Sequence, residues 1–354
     1  MPSDGGMLVE ACPSGYGAGE TSREGRHMNL QISAAVERWP VAGQFVIARG
    51  AKTHVDVLVA AARCNGAIGM GEGTAIYYLQ ETAEKGVSQI EGVMEVLSGL
   101  DPRAAREALR QLLPPGVARN ALDCALWDLE ASLAGKPLWQ LAGLATPPQP
   151  LQTAFTISLG EPDVMEADAA KASARGFGLL KLKLTGEGDR DRVAAVRRGA
   201  PMARLIVDAN ESWGGLDIEA EAHALAALGV EMIEQPVAVG QETLLDGVRA
   251  PVPFLADESC QSRAELDLCA RHFDGINIKL DKTGGLTEAL ALAREAQARD
   301  LKLMVGCMLS TSLGIAPAWL AAQGAIWVDL DGPALLARDR EDGFTFEGGK
   351  IIPA

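Results

Sequence analysis

A (β/α)8-type barrel preceded by an α+β domain is the fold this sequence predicts, and three observations predict it. From residue 151 onward, eight apolar runs of strand length alternate with amphipathic segments of helix length. Several of those runs end in short polar clusters: Lys181-Leu182-Lys183, Asp208-Ala209-Asn210, Glu234-Gln235-Pro236, Asp257-Glu258 and Lys279. From Lys183 to Asp208, Glu234, Asp257 and Lys279 the steps are 25, 26, 23 and 22 residues, about the length of one strand–helix unit. The first 150 residues, in contrast, show no such alternation.

Element by element, residues 1–27 are rich in Gly, Ser and charge without periodicity and read as a disordered extension, lacking the apolar core of a signal peptide. Residues 28–148 form the α+β capping domain. Leu30 to Val36, Val55 to Val59 and Ile68 to Gly71 have strand patterns, and a loop is expected over 45–51. Val87, Ile90, Val93, Met94 and Leu97 then recur at helical spacing, as do Leu122, Ala125, Leu126, Leu129 and Leu133. The linker Thr146-Pro147-Pro148-Gln149-Pro150 ends this domain. The barrel takes 149–332, with strands expected over 152–158, 179–184, 205–208, 230–234, 254–257, 275–280, 301–305 and 326–329. Residues 333–354 are expected to return and complete the capping domain. An open doubly wound sheet is disfavoured because no Gly-x-Gly-x-x-Gly follows an early strand.

Composition narrows the function. The chain has 354 residues, 48% of them hydrophobic, enough for a large core, and a formal charge of −15 argues against nucleic acid or an anionic membrane as partner. Six cysteines without a Cys-x-x-Cys pair support neither structural zinc nor a disulfide framework, which suits the cytoplasm. A small-molecule substrate and a homo-oligomeric assembly are expected.

The clusters carry the chemistry. Side chains two apart on a strand share a face, so Lys181 and Lys183 point inward together, as do Asp208 and Asn210. Asp208, Glu234 and Asp257 end three successive strands and would repel one another unless a hard cation lay among them. An all-oxygen set with room for substrate suits Mg²⁺. Lys183 and Lys279 belong on opposite sides of the barrel mouth. A free lysine has a pKa of about 10.4. Lys181 and the cation are expected to lower that value until an amine can take an α-proton, while the cation stabilises the enolate left behind. Two such bases on opposite faces of one carbon make a racemase or epimerase.

These residues resemble the enolase superfamily, muconate-lactonizing subgroup, over nearly all of 28–354. The resemblance rests on Lys181-Leu182-Lys183, Val207-Asp208-Ala209-Asn210, Ile233-Glu234-Gln235-Pro236, Ala256-Asp257-Glu258-Ser259 and Ile276-Asn277-Ile278-Lys279 followed by Gly284-Gly285. A lysine or histidine base with Mg²⁺ is the general pattern of such sites. The mandelate racemase subgroup would place a His after the seventh strand, where this chain has Gly306-Cys307-Met308. The resemblance implies one Mg²⁺ held by Asp208, Glu234 and Asp257, with Asn210 and Glu258 beside them, and Lys183, Lys279 and Lys181 as the catalytic lysines. Asp329-Leu330-Asp331 resembles the Asp-x-Asp of dipeptide epimerases and implies that Asp329 and Asp331 hold a substrate ammonium. Phe45 to Gly50 resembles the start of the capping domain in L-Ala-D/L-Glu epimerases, and Arg49 would meet the Glu side chain of such a dipeptide. The segment Leu309-Ser310-Thr311-Ser312 departs from the Glu-containing version. Alternatives on the same scaffold are o-succinylbenzoate synthase, N-acylamino-acid racemase and muconate cycloisomerase. A non-catalytic ligand-binding barrel is the alternative of another class.

Overall fold

The computed structural model describes residues 29–47 and 50–353. The extension 1–27, Cys12 within it and Arg49 lie outside the described residues.

The capping domain begins with an antiparallel sheet of β1 (Gln31–Ile47), β2 (Gly50–Cys64) and β3 (Ala67–Thr74) in sequential order. The loop expected over 45–51 is corrected: Phe45 pairs with Lys52, Val46 with Ala51 and Ile47 with Gly50 in one long hairpin. The register of the pair slips between Pro40 and Phe45, which breaks the alternation that marks a regular strand. One face of the sheet packs on the helix Val117–Ala134, whose Leu122, Ala125, Leu126 and Leu129 are fully buried. The approach is close. A Cβ at Gly69 or Gly71 would lie 2.2 Å from a carbonyl oxygen of that helix, so only glycine fits on this face of β3.

The barrel follows the short strand β4 (Leu151–Gln152). Its eight strands are β5 (Phe155–Ile157), β6 (Leu179–Lys183), β7 (Arg204–Asp208), β8 (Val230–Glu234), β9 (Phe254–Ala256), β10 (Gly275–Ile278), β11 (Lys302–Gly306) and β12 (Trp327–Asp329). They pair in parallel in sequential order, and Ala154 donates to the Val328 carbonyl at 2.7 Å, joining the last strand to the first. Alternation then decides every side chain. Leu180, Leu182, Leu205, Val207, Ile233 and Val305 face outward into the helix layer. Ala154, Leu179, Ile206, Met232, Leu255, Met304 and Trp327 meet inside as an apolar floor. Fully burying each larger member stabilises by roughly 1.5–3 kcal/mol. Two residues beyond each of these seven, on the same face, come Thr156, Lys181, Asp208, Glu234, Asp257, Gly306 and Asp329.

The C-terminal segment divides between the two domains. Leu336 bridges Val41, and Ala337 donates to the Pro40 carbonyl, so this part meets β1. The strands β13 (Thr345–Glu347) and β14 (Lys350–Ile352) instead pair with β4 beside the barrel. The expected return to the capping domain therefore applies to the region of residues 336–340, not to the last strands. Phe346 lies against Phe177, with ring centroids 6.4 Å apart, as part of the apolar layer around the barrel.

Polar clasps fix the cap over the barrel. Thr74 N and Asn120 Nδ2 both donate to Asp281 Oδ1, at 2.8 and 2.7 Å. Glu72, fully buried, accepts from Thr311 N and Oγ1 and from Arg340 Nη2, and Arg340 also donates to Glu37. Burial, with Glu81 and Glu72 nearby, pushes the Asp281 carboxyl up to about 7. A raised acid stabilises the fold fully below its ordinary value, and that contribution is lost as pH rises through about 7. Asp281→Asn keeps the accepting oxygen and removes the charge. Thermal melts should show the variant several degrees more stable than the parent at pH 8 and little different near pH 4. An equal gap at both values would show that Asp281 does not titrate in this range.

Candidate active site

The lysines and acids singled out in the sequence meet at one end of the barrel. Asp208, Glu234 and Asp329 end β7, β8 and β12, while Asp257 and Lys279 each stand one residue past their strands. A cavity of about 80 Å³ above them is lined by Lys181, Lys183, Lys279, Asp257, Asp329 and Asp331 from the barrel, and by Phe45, Lys52, Thr74 and Tyr78 from the cap. Asp208 and Glu234 lie beneath it, fully buried.

Ligand oxygens of Asp208, Glu234 and Asp257 lie within 4.8 Å of one another. Each acid also meets a lysine: Lys183 Nζ is 2.7 Å from Asp208 Oδ2, Lys181 Nζ 2.7 Å from Glu234 Oε2, and Lys279 Nζ 2.6 Å from Asp257 Oδ2. The Lys181–Glu234 contact is an ion pair without hydrogen-bond geometry, because Glu234 Oε2 is buried and accepts no hydrogen bond. Burial acts to raise Asp208 and Asp257, but their lysine neighbours outweigh it and hold both below the ordinary carboxylate value. For Glu234, burial and Asp208 prevail and push it up to about 6. Glu258, in the cavity wall, is pushed up to about 8 by burial and then by Asp257.

Burial alone would lower Lys181 and Lys279. Asp329, Glu234 and Asp208 raise the first, and Asp257 and Glu234 the second, well above the ordinary lysine value. Carboxylate oxygens are the nearest charges to Lys181, Lys183 and Lys279 alike.

Asp329 and Asp331 both reach the cavity but differ in company. Asp329 Oδ2 accepts from Lys181 at 2.8 Å, and its Oδ1 is buried without a hydrogen bond. Asp331 Oδ2 accepts from Thr156 N at 2.6 Å, and burial with Asp329 pushes its carboxyl up to about 7. Asn210 supports Asp208 through its backbone, N to Oδ1 at 2.9 Å, and its side chain lines the cavity.

Sequence reasoning passed over Lys282, Asn277 and Lys52. The strand ends at Ile278, and the turn Leu280–Thr283 brings Lys282 back toward Asp257, where its ammonium meets Oδ1 at 2.6 Å. Its i, i+3 spacing from Lys279 was the available signal. Lys52 pairs across the hairpin from Phe45, and burial lowers its pKa.

Two sequence families match this architecture. Residues 30–143 match the N-terminal domain of mandelate racemase / muconate lactonizing enzyme, and residues 164–352 match the enolase C-terminal domain-like family. The chain belongs to the enolase superfamily. Among relatives of this superfamily, the L-Ala-D/L-Glu epimerase of Escherichia coli (strain K12) is 42% identical over 315 residues, covering 89% of this chain and 97% of that one. An Agrobacterium tumefaciens enolase family member with homology to dipeptide epimerases, solved with sodium and L-Ala-L-Glu, superposes with a TM-score of 0.87 at 46% identity, covering 92% of this chain and 98% of that one. The Methylococcus capsulatus dipeptide epimerase, solved with Mg and L-Arg-D-Lys, gives 0.85 at 31% identity, covering 93% and 97%.

Proposed function

We propose that this superfamily member is a Mg²⁺-dependent dipeptide epimerase that inverts the α-carbon of the C-terminal residue, with L-Ala-D/L-Glu as its substrate pair. One observation carries the reading. Lys183 on β6 and Lys279 after β10 stand half a barrel apart, on opposite walls of one cavity, above three acids.

The acids suit the cation. They are buried and close together, and Glu234 Oε2 is an oxygen without a hydrogen bond. Asp208, Glu234 and Asp257 would hold Mg²⁺. When bound it supplies positive charge that offsets the charge building on the substrate carboxylate as the α-proton leaves. The protein's own residues do the rest. One lysine, as the free amine, takes the α-proton and becomes an ammonium. The opposite lysine, as an ammonium, delivers a proton to the other face, so the α-carbon is inverted and the two bases have exchanged states. Lys181, held by Asp329 and Glu234, is a fixed cation between the acids and the substrate's amine end.

Asp329 and Asp331 support a free substrate ammonium, and their charge would repel the carboxylate of an N-succinyl group. The choice of Glu rests on cationic reach from the cap, from Arg49 by resemblance and from Lys52 in the cavity wall. A cytoplasmic homo-oligomer completes the reading. Among the described residues no helix is long and apolar enough to cross a membrane.

The deciding experiment incubates the protein with Mg²⁺ and L-Ala-L-Glu in D₂O and follows α-proton loss by NMR. Deuterium should enter at the Glu α-carbon with inversion. No exchange from any member of a dipeptide library would refute the proposal. Asp331→Asn keeps an oxygen for Thr156 N and removes one charge, so kcat/KM on free dipeptides should fall by roughly 2–5 kcal/mol in transition-state stabilisation. N-acetyl-glutamate should be a poor substrate for the parent. Equal turnover of acetylated and free forms would favour an N-acylamino-acid racemase.

A further inference from the structure

Each of the three acids keeps its two carboxylate oxygens in different company. Asp208 Oδ1 accepts from Asn210 N at 2.9 Å, and its Oδ2 faces Lys183. Glu234 Oε1 accepts from Asn277 Nδ2 at 2.7 Å, and its Oε2 accepts no hydrogen bond. Asp257 Oδ1 accepts from Lys282 Nζ at 2.6 Å, and its Oδ2 faces Lys279. One oxygen of every acid is thus tied by the scaffold. Two of the three ties are side chains, Asn277 and Lys282, both fully buried.

These two ties are themselves fixed. Lys282 spends its three donors on Asp257 Oδ1, the Asp257 carbonyl at 2.5 Å and the Asn277 carbonyl at 2.9 Å, which is all an ammonium has. Asn277 lies against Gly306, where a Cβ would come within 2.9 Å of both its amide atoms. The absence of a side chain at Gly306 is what makes room for the amide beside Glu234.

We infer that Asn277 and Lys282 are positioning residues that make the site selective for Mg²⁺ over Ca²⁺. This rests on the reading of the three acids as cation ligands. With one oxygen of Glu234 and one of Asp257 engaged from behind, each acid presents a single oxygen to a cation. Mg²⁺ takes near-octahedral single oxygens at about 2.0–2.1 Å. Ca²⁺ gathers about 6–8 oxygens and readily takes both from one carboxylate. Freeing the rear oxygen removes the barrier to two-oxygen binding.

The test titrates MgCl₂ and CaCl₂ separately into the metal-stripped full chain by calorimetry, for the parent, Asn277→Leu and Lys282→Met. The parent should bind Mg²⁺ at least tenfold more tightly than Ca²⁺. Each variant should narrow that ratio about tenfold, chiefly by strengthening Ca²⁺ relative to Mg²⁺. A merely structural role would weaken both ions by the same factor, and an unchanged ratio overturns the inference. Should the variants fail to fold, the parent alone decides, because equal Mg²⁺ and Ca²⁺ affinity there overturns it too. A parent that binds Mg²⁺ without discrimination sinks this inference and spares the metal site, whereas a parent that binds no Mg²⁺ sinks both.

Discussion

Lys279→Ala should abolish epimerisation, with kcat on L-Ala-L-Glu falling by roughly 10³-fold or more, at the strong end of general acid–base effects. Lys183→Ala should do the same, because inversion needs one base on each face. Folding should survive in the Lys279 variant, since Asp257 keeps Lys282 on its other oxygen. In the Lys183 variant Asp208 retains Lys181 at 3.7 Å. The informative readout is isotopic. In D₂O each variant should still exchange the α-proton of one epimer, and the two variants should favour opposite epimers. A variant that exchanged both epimers at the parent's rate would mean that one mobile base serves both faces.

Chelation should bring turnover to background, and added Mg²⁺ should restore it. The acids should then separate by their neighbours. Glu234→Gln keeps an oxygen for Asn277 Nδ2 and leaves Lys181 with Asp329, so activity should collapse while the melting temperature changes little. Asp257→Asn is different. It withdraws the charge facing two buried ammoniums, Lys279 and Lys282, and uncompensated buried charges of that kind cost about 3–5 kcal/mol. Loss of activity should come with a clear drop in stability for that variant. Full activity in a verified metal-free sample would end the metal assignment. Equal melting temperatures for the Gln and Asn variants would show that Lys282 does not depend on Asp257.

The barrel was legible because a parallel strand allows a side chain only two directions. Once Leu180 and Leu182 are placed outside, Lys181 and Lys183 must point in, and the same parity places Asp208, Glu234 and Asp257. What parity could not show lies beyond strand ends, where the period changes. Lys282 enters through a helical turn, and Asn277 counts as an ordinary strand residue until its partner is known. The hairpin from Phe45 to Lys52 was opaque for a different reason: it is held by backbone pairing and carries little core. Nor did Glu72 stand out, in a run of Gly-Met-Gly-Glu-Gly. Yet it lends Thr311 the carboxylate that the segment Leu309-Ser310-Thr311-Ser312 lacks in its own sequence. That acid arrives from the other domain, so no local reading of either segment would find it.

The apolar floor made by Leu179, Ile206, Met232, Leu255, Met304 and Trp327 has a consequence for traffic. No dipeptide can leave through it, so among the described residues the way in and the way out both lie on the cap side. Both epimers fit the same seat and both are reactants. They therefore queue for one vacancy, and each conversion ends only when its occupant backs out the way it came. Progress toward the equilibrium mixture should slow early in either direction, as the accumulating epimer crowds the door.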